Sequence, residues 1–105
     1  MARFYAKTVT WNNAVLTNIC DEELLGATLR DGGLSLTLSP EYFGEVLVDE
    51  KGAMRLLERG DILDLVGERI VGLALKAGLA HPGAVRSVQR VPMLMIYKFG
   101  KGAVQ

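Results

Sequence analysis

The chain carries one cysteine and one histidine in 105 residues. A lone cysteine excludes an internal disulfide, and one of each is too few soft ligands for a structural zinc site. No apolar run approaches the roughly 18 residues that cross a bilayer. The opening Met1–Lys7 lacks the apolar core of a secretory signal. Asp31-Gly32-Gly33 has no Lys-Ser/Thr and helix behind it, and Gly100-Lys101-Gly102 lies at the chain's end, so neither is a phosphate loop. No dinucleotide fingerprint is present. These absences leave the expectation of a cytoplasmic protein with no metal, no cofactor and no membrane span.

What is abundant is apolar surface and segregated charge. With glycines counted and tyrosines left out, about 58% of the chain is apolar against a usual 45–50% or so. One domain of 105 residues has trouble hiding that surplus, which points to self-association. All twelve acidic residues lie between Asp21 and Glu68, together with only four basic ones: Arg30, Lys51, Arg55 and Arg59. The middle is formally −8 and the flanks +8, although the whole is neutral. Such asymmetry suggests an anionic partner or charge-guided docking.

Residues 1–105 read as one α+β domain, a mostly antiparallel or mixed sheet of five to six strands with two main helices between residues 49 and 77. Arg3–Val9 and Ala14–Cys20 form a hairpin around Trp11-Asn12-Asn13. Asp21 caps a short helical turn closed by Gly26. Leu34–Leu38 alternates strictly after the Asp31-Gly32-Gly33 turn, giving a strand with one wet face. Ser39-Pro40 starts one helical turn, and Val46–Val48 is a short strand. Asp49 caps a helix to about Arg59, broken at Gly60. Asp61 caps a longer helix ending near Ala77, with Ile62, Val66, Ile70 and Leu73 turned to the sheet. On that helix Asp64 and Glu68 repel at a spacing of four, and close backbone approach explains Gly67 and Gly72. Gly78, Leu79 and Pro82 end it. Val85–Val88 and Met93–Phe99 are strands, the last apolar enough to be covered on both faces.

Catalytic candidates are few. Cys20 precedes a helix start, but Asp21, Glu22 and Glu23 outweigh the half charge of the dipole and keep the thiol protonated, so a buried structural role is expected. His81 sits after a helix end, where turn geometry accounts for it. An enzyme would have to work with Cys20 or His81 and carboxylates such as Glu22, Glu23 or Glu68, and no catalytic motif unites them. No catalytic residue is assigned.

The basic flanks carry the functional expectation. Arg3, Tyr5 and Lys7 alternate onto one face of the first strand. Arg86, Arg90, Tyr97 and Lys98 come from the last strands. If first and last strands are neighbours, the seven form cations around aromatics, a surface suited to phosphate contact and base stacking. The expectation is a non-enzymatic module for an anionic partner such as RNA or an RNA–protein assembly. The alternatives are a homo-oligomeric or protein–protein adaptor, and charge blocks that neutralise each other inside the fold.

The segments Cys20-Asp-Glu-Glu-Leu-Leu-Gly26, Tyr42-Phe43-Gly44, Leu65-Val-Gly-Glu-Arg-Ile-Val71 and Ala77-Gly78-Leu79 resemble a family of small archaeal proteins that carries only a domain-of-unknown-function label. The resemblance spans most of the chain. It implies an archaeal cytoplasmic protein of similar size and brings no activity, ligand or catalytic residue.

Overall fold

A computed structural model describes residues 2–98. Strands β1 (Arg3–Trp11) and β2 (Ala14–Asp21) form the expected hairpin. Its turn residues Asn12 and Asn13 take positive φ (51° and 65°), the conformation two-residue hairpin turns require and asparagine tolerates. A 3₁₀ turn (Glu22–Leu24), a small hairpin of β3 (Thr28–Asp31) and β4 (Leu34–Thr37), and the single turn α1 (Pro40–Phe43) follow. Then come β5 (Val46–Asp49), α2 (Glu50–Arg59), β6 (Ile62–Val66), α3 (Glu68–Lys76), a 3₁₀ turn (Pro82–Ala84), β7 (Arg86–Val88) and β8 (Val91–Tyr97).

Six strands form one mixed sheet in the order β5-β1-β2-β6-β8-β7, and β3 and β4 pair separately. β2 and β6 are parallel; the other pairings are antiparallel. By these pairings β5, β6 and β7 run the same way, so α2 and α3 each lie in a parallel crossover stepping across the sheet in the same sense. Crossovers have one strongly preferred hand, and two in the same sense therefore put both helices on the same face. Phe4, Ala6, Ile19, Leu63, Leu65, Leu94 and Ile96 of that face pack under Ala53 and Leu57 of α2 and Ile70, Val71 and Ala74 of α3. The opposite face is left to the chain's smaller pieces. Cys20, Val66 and Val88 pack there under Leu29, Leu38 and Phe43.

Local end signals work as read. Asp49 accepts the Gly52 N–H at 2.9 Å. At the end of α3, Gly78 has φ 75°, and the N–H groups of Gly78 and Leu79 bond the Leu75 and Ala74 carbonyls at 3.0 Å each, the paired bonds of a glycine C-cap.

The long second helix does not exist. Its first half is β6, and only Glu68–Lys76 is helical. Ile62-Leu-Asp-Leu-Val alternates as well as it satisfies a helical stripe, and pairing with β2 and β8 decides between them. Asp61 caps no helix; its carboxylate accepts the Val15 N–H at 2.8 Å and anchors β6 beside β2. Asp64 and Glu68 therefore share no helix face. Ile62 and Val66 lie on the sheet face away from α3, while Ile70 is buried and Leu73 packs at the edge of the main core.

Gly67 is the break between β6 and α3, at φ 127°. A Cβ there would lie 2.4 Å from the Asp21 carboxyl carbon, so a side chain rather than a backbone approaches it. Gly72 has nothing within 4 Å of such a Cβ, and close approach does not explain it. Asp21 gives no side-chain cap to its own turn. It reaches the start of α3 instead, accepting the Arg69 and Ile70 N–H groups at 2.9 Å each. Finally, β8 is covered on both faces only in its first half: Leu94 and Ile96 are buried on one face and Val91 and Met93 pack against the second cluster on the other, but Met95 is 48% and Tyr97 50% exposed. Phe99 lies outside the described residues.

Candidate functional site

The small pieces cover only part of the second sheet face. Strand register sets its rows. Tyr5, Cys20, Val66 and Met93 are successive partners, with Arg86 beyond Met93 on β7. This row belongs to the second core cluster or packs against it, except Arg86, which is exposed. The next row is Lys7, Asn18, Asp64 and Met95, and the one after is Val9, Leu16, Ile62 and Tyr97. Trp11 and Ala14 follow at the hairpin's end. The loop turn α1 stops at the second of these rows, where Lys7 Nζ donates to the Glu41 carbonyl (2.8 Å) and Asn18 Nδ2 to the Tyr42 carbonyl (2.9 Å). Beyond α1 no described residue covers the sheet. Val9, Trp11 (67% exposed), Met95 and Tyr97 stand out from it, with Leu16 and Ile62 half-buried between.

Asp64 lies near the middle of this surface. Its Oδ1 is sealed from solvent with no hydrogen-bond partner, and burial pushes its carboxyl above the usual range. A hollow of about 220 Å³ on the β7 side of β8 is lined by Ala84, Arg86, Met93, Leu94 and Met95. A wider concavity, about 800 Å³, lies elsewhere, at Ala2, Asp49, Glu50, Lys51, Met54 and Arg55, and its lining mixes both signs of charge.

Of the seven residues singled out in the sequence, Tyr5, Lys7, Arg86 and Tyr97 share the second sheet face, Tyr5 under its cover. β1 and β8 are not neighbours: β2 and β6 lie between them, about 14 Å at the usual strand spacing. Arg3 is at the covered end and pairs with Glu22 at 2.9 Å. Tyr5 packs half-buried in the second cluster. Arg90 sits in the β7–β8 turn at φ 68°, lining a hollow of about 160 Å³ with Asp21, Glu23, Glu68 and Arg69. Lys98 Nζ donates to the Glu58 carbonyl at 3.0 Å and to that of Leu57, closing the end of α2. The Arg3–Glu22 and Arg69–Glu23 pairs each join a basic flank to the acidic middle, so the charge blocks interlock at that end. Both pairs are exposed, and such pairs contribute about 1 kcal/mol at most.

Trp11, Asn18 and Met95 escaped the sequence reading as site residues, and Asp64 entered it only as a carboxylate on a helix. The signal was Ile62-Leu-Asp-Leu-Val, which read as a strand puts Asp64 on the face opposite Leu63 and Leu65.

The enzymatic candidates are committed elsewhere. Cys20 is fully buried, and burial, followed by the charges of Asp21 and Glu23, pushes its thiol up to about 12. His81 Nδ1 accepts the Gly83 N–H at 2.9 Å and fixes the turn before β7. Among the described residues no group of three or more His, Cys, Asp or Glu is placed to hold a metal ion, and no helix is long and apolar enough to cross a membrane. The recognisable segments around Cys20–Gly26 and Gly67–Arg69 meet in space: Asp21 caps α3 beside Gly67, and Glu23 pairs with Arg69. Their common task is to clip α3 to the end of β2. Burial raises the Asp21 carboxyl, against the opposing pull of the two N–H donors and the Arg69 charge.

Fold and surface together define a small α+β protein: a mixed sheet, helices on one face, and an opposite face only half covered. The chain belongs to the family described as "Protein of unknown function (DUF424)", whose model matches residues 9–99. The crystal structure of an uncharacterized conserved protein from the archaeon Methanopyrus kandleri has the same fold, with a TM-score of 0.82 and 21% identity over 99% of this chain and 98% of that one. No curated protein matches the chain.

Proposed function

We propose that the chain is a non-enzymatic binding module of the cytoplasm that takes single-stranded RNA, alone or within an RNA–protein assembly, across the bare half of its sheet. The observation that carries the reading is the row register: exposed Trp11 and Tyr97 stand on the same face as Lys7 and Arg86. Exposed aromatics stack bases of any sequence, each worth about 1–3 kcal/mol, and flanking cations neutralise phosphates. The free, buried Cys20 suits a reducing compartment.

Arg3 is engaged by a carboxylate and Lys98 by two carbonyls, and Arg90 is at the covered end, whereas Lys7 gives one of its three N–H bonds to a single carbonyl. Two cations remain on the face, so the log–log salt slope is expected near −1.4, at about −0.7 per phosphate on a single strand. Fluorescence anisotropy with a labelled RNA decamer, titrated between 50 and 200 mM salt, tests this. Binding should weaken with salt, and Tyr97→Ala should lower affinity while leaving the slope unchanged. Failure to bind at 50 mM salt would defeat the reading.

A second reading rests on the apolar character of Val9, Leu16, Ile62 and Met95 on that face. Interfaces between proteins have such apolar centres. Here the surface docks a second copy or another protein, and light scattering would find a dimer or larger assembly.

A further inference from the structure

Asp64 is out of place by every local rule. It occupies the central position of β6, a five-residue strand that is otherwise Ile, Leu, Leu and Val, and aspartate is among the residues least suited to strands. Its Oδ1 is buried without a donor. Among the described residues the Asp64 side chain makes no hydrogen bond and no ion pair. Its neighbours in the row do not help: Asn18 gives its amide to Tyr42, and Met95 has nothing to donate. The fold gains nothing from a carboxylate here, and a buried acceptor without a donor is a cost that a bound donor would remove.

Resting on the RNA reading above, we infer that Asp64 reads a guanine base laid on the bare sheet face. The chemistry of the four bases selects guanine. Its Watson–Crick edge offers two adjacent donors, N1–H and the N2 amino group, which match the two oxygens of one carboxylate. Cytosine and adenine set their amino group beside an acceptor nitrogen, and uracil flanks its single N–H with two carbonyls.

The surroundings supply the rest. Tyr97 is the partner of Ile62, one strand over and two residues along from the Asp64–Met95 pair. At a diagonal of about 7–8 Å it is within reach of a base whose edge meets Asp64. Met95, unbranched and half-exposed, is the side chain best able to swing aside and open Oδ1. Lys7 lies two strands away in the same row, about 10 Å, and Arg86 lies beyond Met93 on the other side. A short strand crossing the face thus has a cation at each end and a base reader between them.

The test uses the full chain and labelled uridine hexamers carrying one central guanosine, inosine, adenosine or uridine, read by anisotropy at 50 mM salt. Guanosine should bind about tenfold tighter than adenosine or uridine, the order of effect of a good bidentate base contact. Inosine, which keeps N1–H and lacks the amino group, should fall between. Asp64→Asn should erase the guanosine preference, whereas Tyr97→Ala should weaken all four alike. Equal binding of the four hexamers, or a preference surviving in Asp64→Asn, overturns the base-reading role while leaving RNA binding intact. Binding of none of the hexamers overturns both. Should Asp64→Asn lose its far-UV circular dichroism, the guanosine–inosine comparison on the unaltered chain decides.

Discussion

Replacing Asp64 with Val should make the protein more stable, because the site serves binding at the expense of the fold. Leaving a buried acceptor unsatisfied costs about 1–3 kcal/mol, and Asp64 Oδ1 is in that condition. Valine suits a strand flanked by Leu63 and Leu65 and adds apolar contact beside Leu16 and Ile62 on its own face. A net gain of about 1–2 kcal/mol at pH 7 is expected. For a domain of this size that corresponds to a rise in Tm of about 4–8 °C per kcal/mol. The pH dependence gives a second handle. Burial raises the folded-state pKa of Asp64 above its unfolded value, so the group favours the folded state fully below the unfolded pKa, near 3.9, and that contribution is lost as pH rises through the folded value. The advantage of Asp64→Val should therefore shrink from pH 7 toward pH 4. Asp21 and Cys20 titrate identically in both proteins and cancel in the difference. Urea unfolding followed by far-UV circular dichroism, at low micromolar protein, measures both quantities. A valine variant less stable than the parent at pH 7, or a gap unchanged between pH 7 and pH 4, would refute the reasoning.

Two glycines separate packing from propensity. Gly67→Ala, at φ 127° and with a Cβ 2.4 Å from the Asp21 carboxyl, should cost more than about 2 kcal/mol in urea unfolding. Gly72→Ala, in the interior of α3 with open space around it, should gain about 0.5–1 kcal/mol; equal effects at the two sites would contradict the geometry. Cys20, buried and with its thiol pushed up to about 12, should resist alkylation at pH 8 in the native protein and react only as the chain unfolds. Rapid labelling without unfolding would show the thiol to be exposed.

Signals confined to a few neighbouring residues settled much of this protein from its sequence. The Asp49 cap, the Gly78 ending of α3, and the alternating β1 with its asparagine turn all rest on contacts within one turn or one strand. The mixed α+β class and the family resemblance were legible for the same reason. Asp21 and Asp61 show where such reading stops. Each looks like the cap of the helix just after it, and each carboxylate goes to a backbone far along the chain: Asp21 to Arg69 and Ile70, Asp61 to Val15. The strand at Ile62–Val66 was ambiguous because five residues fit both periods, and β2 and β8 had to arrive on either side to fix it. The bare surface was beyond local reading altogether. It exists because two crossovers of one hand place both helices on one face, while the segment from Glu22 to Phe43 is too short to roof the whole of the other. Charge order along the chain says nothing of that geometry. Only the strand order brought Lys7, Arg86 and Tyr97 to one open face around Asp64 and drew Arg3 and Lys98 away to other partners.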